Sequence, residues 1–193
     1  MESWSIEKRR LLMLAGSDSL KHLGSQRKSL NRHTSTHSVM SQFHRLEAAI
    51  IDASSIIYAR KVGILPRLSR TIRLFSTPET IQEAGDDAIG VNRLDCDIPL
   101  VTNDHKLILC ACRFEFAIIS EDRQILAAAR REGISHFNTL MMLNFLLSVE
   151  AIDDRAYGRY LEKLRQIAWY GPGIWKFGEN IRAVISKGRQ QQQ

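Results

Sequence analysis

From residue 46 onward, short aliphatic runs alternate with segments of helical period, and this alternation leaves few architectures open. EAAIIDAS reads as a buried strand ending at Asp52, and the helix through SSIIYARKVG stops at Gly63. TIRLFS is a second strand, and Pro78 suits the first turn of a helix, PETIQEAG, that Gly85 ends. A weaker segment, NRLDCDIP, leads into the helix NDHKLILCACR, the strand EFAIIS and the helix EDRQILAAARRE, which Gly133 stops. SHFN reads as an edge strand before a helix through MMLNFLLSV. Strands separated by helices predict an α/β fold of three layers, α/β/α, with a central parallel sheet covered on both faces.

The flanks read differently. Residues 16–42 are rich in Ser, Thr, His, Arg and Lys with few large apolar side chains, so residues 1–45 are expected to form a basic, flexible arm. The same irregularity suggests Met40 as a start of translation. Residues 46–150 form the expected domain. Beyond Ala151, DDRAYGRYLEKLRQIAWYG is an amphipathic helix with Tyr157, Leu161, Leu164 and Ala168 on one stripe. Gly171-Pro172-Gly173 breaks it, WKFGENIRAVIS is a further helix, and a disordered RQQQQ tail closes a helical extension over 151–193.

At 193 residues and 44% hydrophobic composition, the chain suffices for one packed domain with extensions. No apolar run approaches the roughly 20 residues that span a bilayer, and MESWSIEKRR puts charges where a secretory leader is apolar, so a soluble protein is expected. Cys96, Cys110 and Cys112 form no C-x-x-C pair, and the last two face different ways on a helix, which argues against a disulfide framework or zinc site and fits a reducing cytoplasm. Charge is unevenly spread. Residues 1–45 hold 8 Lys/Arg against 3 Asp/Glu, residues 46–150 hold 11 against 14, and residues 151–193 hold 8 against 4. An acidic centre between basic flanks suits cation binding beside a phosphate backbone, although solvated charge explains it about as well.

Within residues 101–129 one phrase occurs nearly twice: Asn103-Asp104-His105-Lys106-Leu107-Ile108 and Glu121-Asp122-Arg123-Gln124-Ile125-Leu126. Asp104 has Leu107, Ile108 and Ala111 at same-face spacings, and Asp122 has Ile125, Leu126 and Ala129. Each aspartate is therefore expected in the first turn of its helix, on the edge of the stripe that packs on the sheet. Alone, either acid is most simply a partner of the helix dipole. Together they emerge where Asp52 ends a strand, at the carboxyl edge where open α/β sheets place ligands. Three inward carboxylates there would repel one another unless a cation neutralised them or some took up protons. A hard divalent ion, Mg²⁺ or Mn²⁺, is the simplest resolution.

IIDASSIIYARKVGIL, STPETIQEAG and VTNDHKLILCACRFEFAIISEDRQILAAARREGI together resemble a PIN domain, the nuclease fold of VapC-type toxins and of ribosomal RNA processing nucleases. The likeness covers residues 46–149 and rests on the order and spacing of several motifs. It implies a PIN-like fold with Asp52 as the acid after strand one, Ser54 as the small hydroxyl two residues on, and Glu83 as the glutamate closing the T-P-x-x-I helix. Asp104 matches the acid opening the next helix, and Asp122 the last acid of the S/T-x-D motif, Ser120-Glu121-Asp122. Glu79, Asp86 and Asp87 compete with Glu83 for its place. Asp97 and Glu121 read as solvated or supporting groups, and His105 as an RNA contact or, more simply, as surface.

The resemblance implies a divalent-metal-dependent endoribonuclease of the cytoplasm cutting single-stranded RNA to 5′-phosphate and 3′-hydroxyl ends, with Asp52, Glu83, Asp104 and Asp122 as catalytic and metal-binding acids. Arg123 would neutralise a substrate phosphate. An antitoxin partner and a homodimer come with the toxin families, and no membrane. The alternative is a catalytically silent PIN-like module that binds RNA or a protein. A phosphatase of the haloacid dehalogenase type wants Asp where Ser54 stands and is set aside. Trp169, Tyr170, Trp175 and Phe177, near Arg165 and Lys176, have a composition suited to stacking on unpaired bases, and equally to packing the extension onto the domain.

Overall fold

The computed structural model describes residues 35–96 and 102–190. Five short strands, β1 (Ala48–Ile51), β2 (Arg73–Ser76), β3 (Asn92–Arg93), β4 (Ala117–Ile119) and β5 (His136–Phe137), form one sheet in the order β3-β2-β1-β4-β5. Every pairing is parallel, with Ile50 opposite Phe75 on one side and Ile118 on the other. The helices are α1 (Thr36–Phe43), α2 (Ala53–Val62), α3 (Leu65–Thr71), α4 (Pro78–Ala84), α5 (Asn103–Phe114), α6 (Arg123–Arg131), α7 (Thr139–Ser148), α8 (Asp154–Ile167) and α9 (Pro172–Gln190). The expected α/β class with a parallel sheet between helical layers is present.

Strand alternation divides the core in two. Ile50 and Ile118 point to one face, where they meet Leu107, Ile108 and Ala111 of α5 and Ile125 and Ala129 of α6. Ala49, Ile51, Ala117 and Ile119 point to the other, under α2, α3 and α7. Helix α7 is buried along its length from Thr139 to Leu147, as a helix apolar all round must be, because α8 and α9 cover the side turned from the sheet. Helix α9 comes close through Gly178, where a Cβ would stand 2.6 Å from Leu140 Cδ2. Tyr157, Leu164, Ile181 and Ile185 are buried in this same core, so the described part of the C-terminal extension is built into the domain.

Four sequence expectations change. Residues 36–43, assigned to the flexible arm, form α1: Val39 and Phe43 are each 3% exposed, and the Phe43 ring lies 5.7 Å from Phe137 and 5.6 Å from Phe145. Two apolar residues four apart are enough to seat a short helix, too few to stand out in a polar stretch. Cys96 and Cys110 are disulfide-bonded across 14 residues, and only Cys112 of the three is free. Comparing Cys110 with its neighbour Cys112 missed the partner because the pairing forms across the β3–α5 crossover. Helix α3 was not foreseen; seven residues are too few for a clear period, although Leu65 and Leu68 are buried. Arg189 and Gln190, expected in the disordered tail, are instead the last residues of α9; the arm before residue 35, Asp97 and the last three glutamines lie outside the described residues.

Among the described residues, no helix is long and apolar enough to cross a membrane.

Candidate active site

Asp52 leaves β1 in extended conformation and caps α2, its Oδ1 accepting the Ser55 N–H at 2.7 Å. The Ser54 hydroxyl lies 3.1 Å from both carboxylate oxygens, and the Ser120 hydroxyl donates to Oδ2 at 2.5 Å. The side chain is 6% exposed, and every one of these donors is neutral. Ser120 is in place because β4 pairs with β1 in register, Ile51 opposite Ile119, so the two strands end together. The Asp52 N–H extends the ladder to Ile119 O at 3.0 Å.

Asp122 follows at once. Its N–H donates to Ser120 Oγ at 3.0 Å and its Oδ1 accepts the Gln124 N–H at 2.5 Å, which makes it the N-cap of α6. Asp52, Ser54, Ser120 and Asp122 thus form one connected group. Asp122 is exposed, as is Arg123 beside it.

On the other flank, buried hydroxyls tie strand ends together. Ser76 Oγ donates to Ile51 O at 2.5 Å, just before Asp52. Thr77, the cap of α4, donates to Asn103 Oδ1 at 2.9 Å, and Asn103 Nδ2 donates to Thr80 Oγ1 at 3.0 Å. These bonds seat the start of α5 at the carboxyl ends of β1 and β2, with Asp104 in its first turn as the sequence implied. Asp104 is exposed. Of the three aspartates expected to point inward, only Asp52 does. Asp52 and Asp122 both cap their helices, yet only Asp52 is covered, while Asp104 follows the cap Thr102.

Helix α4 starts at the same edge, so Glu79 in its first turn stands about 6 Å nearer the site along the helix than Glu83 in its last. Glu79 is paired with Lys106 at 2.8 Å, and that bond holds its carboxyl below the usual range. Glu83 is exposed.

The group that sequence reasoning undervalued is Glu121. It is half-buried, accepting the Thr139 N–H at 2.7 Å, the Thr139 hydroxyl at 2.6 Å and the Tyr170 hydroxyl at 2.5 Å. Burial pushes its carboxyl up, and the charge on Asp52 pushes the same way. Burial likewise raises the hydroxyls of Tyr170 and Tyr58, and in both Glu121 adds to the rise. Nothing local reveals the distant tyrosine and threonine that receive Glu121.

Among the described residues, no three His, Cys, Asp or Glu side chains are gathered closely enough to form a metal-binding group. No protein-family model matches the chain. No curated protein matches it significantly.

Proposed function

We propose that this carboxyl edge takes Mg²⁺ or Mn²⁺ and that the protein is a PIN-like endoribonuclease acting on single-stranded RNA. The observation that carries the reading is Asp52, 6% exposed, whose hydrogen-bond donors among the described residues are all neutral. Burying a charge without a cationic partner costs several kcal/mol, in order of magnitude, unless something compensates it. The donor set is carboxylate and hydroxyl oxygen throughout, the chemistry a hard divalent ion selects.

Ser54, Ser55 and Ser120 fix the Asp52 carboxylate in one orientation, and the backbone N–H of Asp122 is linked to it by two hydrogen bonds through Ser120. Asp104, exposed in the first turn of α5, is free to turn toward the edge when charge arrives there. Either Glu79, if released from Lys106, or Glu83 completes the set of four acids. When bound, the ion supplies an activated water and offsets charge on the phosphate and its 3′ leaving oxygen. Arg123 neutralises a neighbouring phosphate. A toxin role with an antitoxin partner, a homodimer and a cytoplasmic setting belong to the same reading, resting on the PIN resemblance.

The test is cleavage of a fluorescently labelled unstructured RNA by the full chain in Mg²⁺, Mn²⁺ or EDTA, beside an Asp104→Asn/Asp122→Asn double variant. Asn caps a helix as well as Asp, so the variant should fold. Metal-dependent cutting that the variant loses supports the proposal. A folded wild-type protein that neither cuts nor responds to Mn²⁺ overturns it in favour of a silent binding module.

A further inference from the structure

The segment Ser120-Glu121-Asp122 follows β4, and its outer two residues serve the candidate site directly. The Ser120 hydroxyl donates to Asp52 Oδ2, and its oxygen accepts the Asp122 N–H at 3.0 Å. The Asp122 carboxylate caps α6 through the Gln124 N–H. Glu121, between them, bonds to elements from further along the chain. Its Oε1 accepts the N–H and the hydroxyl of Thr139, the first residue of α7, and its Oε2 accepts the hydroxyl of Tyr170, on the linker between α8 and α9. Tyr170 is fixed in turn: its ring lies 5.1 Å from Trp175 of α9, and the Arg165 guanidinium of α8 lies 5.6 Å over that indole. A continuous run of contacts therefore leads from the C-terminal extension to the residues around Asp52.

Fastening α7 does not require this carboxylate, because Asn138 already caps that helix by accepting the Met141 N–H at 2.9 Å. A half-buried carboxylate met by neutral donors is moreover a costly way to join two elements, and burial pushes the Glu121 carboxyl up. Its place in the chain is what sets it apart. Among the described residues the Asp122 side chain bonds only to Gln124, two residues away, a contact that turns with the backbone. The bonds of Glu121 do not turn with it, since they reach 18 residues to Thr139 and 49 to Tyr170. We infer that Glu121 and Tyr170 are positioning residues: by tying this segment to α7 and to the extension, they hold Ser120 against Asp52 and set the direction of Asp122. The inference deepens the metal-dependent nuclease reading and rests on it for what the alignment serves.

The experiment is amide hydrogen exchange followed by NMR on the full chain in EDTA, comparing wild type with Tyr170→Phe, Glu121→Ala and Glu121→Gln, circular dichroism confirming that each is folded. The Asp122 and Gln124 amides report the segment, because they donate to Ser120 Oγ and Asp122 Oδ1. Tyr170→Phe removes the bond to Oε2 and should lower their protection roughly fivefold. Glu121→Ala removes the bonds to Thr139 as well and should lower it further. Glu121→Gln should restore protection close to wild type, since its oxygen still accepts from Thr139 and its amide donates to the Tyr170 oxygen. In Mn²⁺ titration Tyr170→Phe should raise Kd about tenfold, and in RNA cleavage it should lower kcat while leaving KM unchanged.

Unchanged protection of Asp122 and Gln124 in folded Tyr170→Phe overturns the inference. Loss of protection confined to α7, α8 and α9 overturns it too, because the contact would then serve the extension alone. The two readings fail separately: metal-dependent cutting by Tyr170→Phe with the wild-type kcat leaves the nuclease standing and removes the positioning role. Loosened Asp122 and Gln124 amides in a protein whose wild type neither binds Mn²⁺ nor cuts RNA support the positioning and remove the nuclease.

Discussion

Replacing Asp52 by Asn tests the site through stability, apart from any RNA substrate. Asn keeps the N-cap, since its carbonyl oxygen accepts the Ser55 N–H as Oδ1 does at 2.7 Å. The amide nitrogen in place of Oδ2 no longer accepts the Ser120 hydroxyl; losing that bond costs about 1 kcal/mol. Against this, the repulsion between Asp52 and Glu121 disappears. The cost of the buried charge disappears as well, so in EDTA the variant should be at least as stable as wild type. With Mn²⁺ at about a hundred times its Kd, wild type should gain about 2.7 kcal/mol and the variant little. Urea denaturation followed by circular dichroism, with EDTA and with Mn²⁺, measures both differences. Equal stabilisation of the two proteins by Mn²⁺ would refute Asp52 as a ligand. A loss of several kcal/mol in EDTA would refute the view that its neutral cage is costly to the fold.

Two further expectations concern the scaffold. Phe43→Ala should cost about 3–5 kcal/mol in urea denaturation, because the ring is 3% exposed between Phe137 and Phe145; a change near zero would mean that α1 is not docked. Tyr157 donates to the buried Asn144 Oδ1 at 3.1 Å, so Tyr157→Phe should cost about 1–3 kcal/mol at neutral pH. Burial pushes the Tyr157 hydroxyl from 10.0 up to about 12, so the folded state keeps this proton longer than the unfolded chain. The resulting contribution is present in full below pH 10.0 and lost as pH rises toward about 12. Over that window wild type should lose about 2–3 kcal/mol more than Tyr157→Phe; parallel curves would show that Tyr157 is not the group responsible.

Much of the fold was legible because its signals are local. The aliphatic run before Asp52, Pro78 in the first turn of α4, and Gly63 and Gly133 at φ 93 and 73 each mark a boundary within a few residues of sequence. Asp52 as the strand-ending acid and Ser120 as the hydroxyl ending β4 were legible for the same reason. Asp104 and Asp122 were placed at the correct helix starts but given the wrong exposure. The spacing of Leu107 and Ile125 after them reports the helix face, whereas the exposure of a residue at the helix start depends on what the rest of the fold packs against it.

What the sequence determined by itself is the succession of strands and helices and the acids at their ends, since hydrophobic period and capping chemistry act over one or two turns. Tertiary structure alone decided which acid is buried, which cysteine meets Cys96, that α1 joins the core, and that Tyr170 reaches back to Glu121. Tyr170 lies 49 residues from Glu121, Ser120 lies 68 from Asp52 and Cys110 lies 14 from Cys96, separations at which only tertiary packing brings two side chains together.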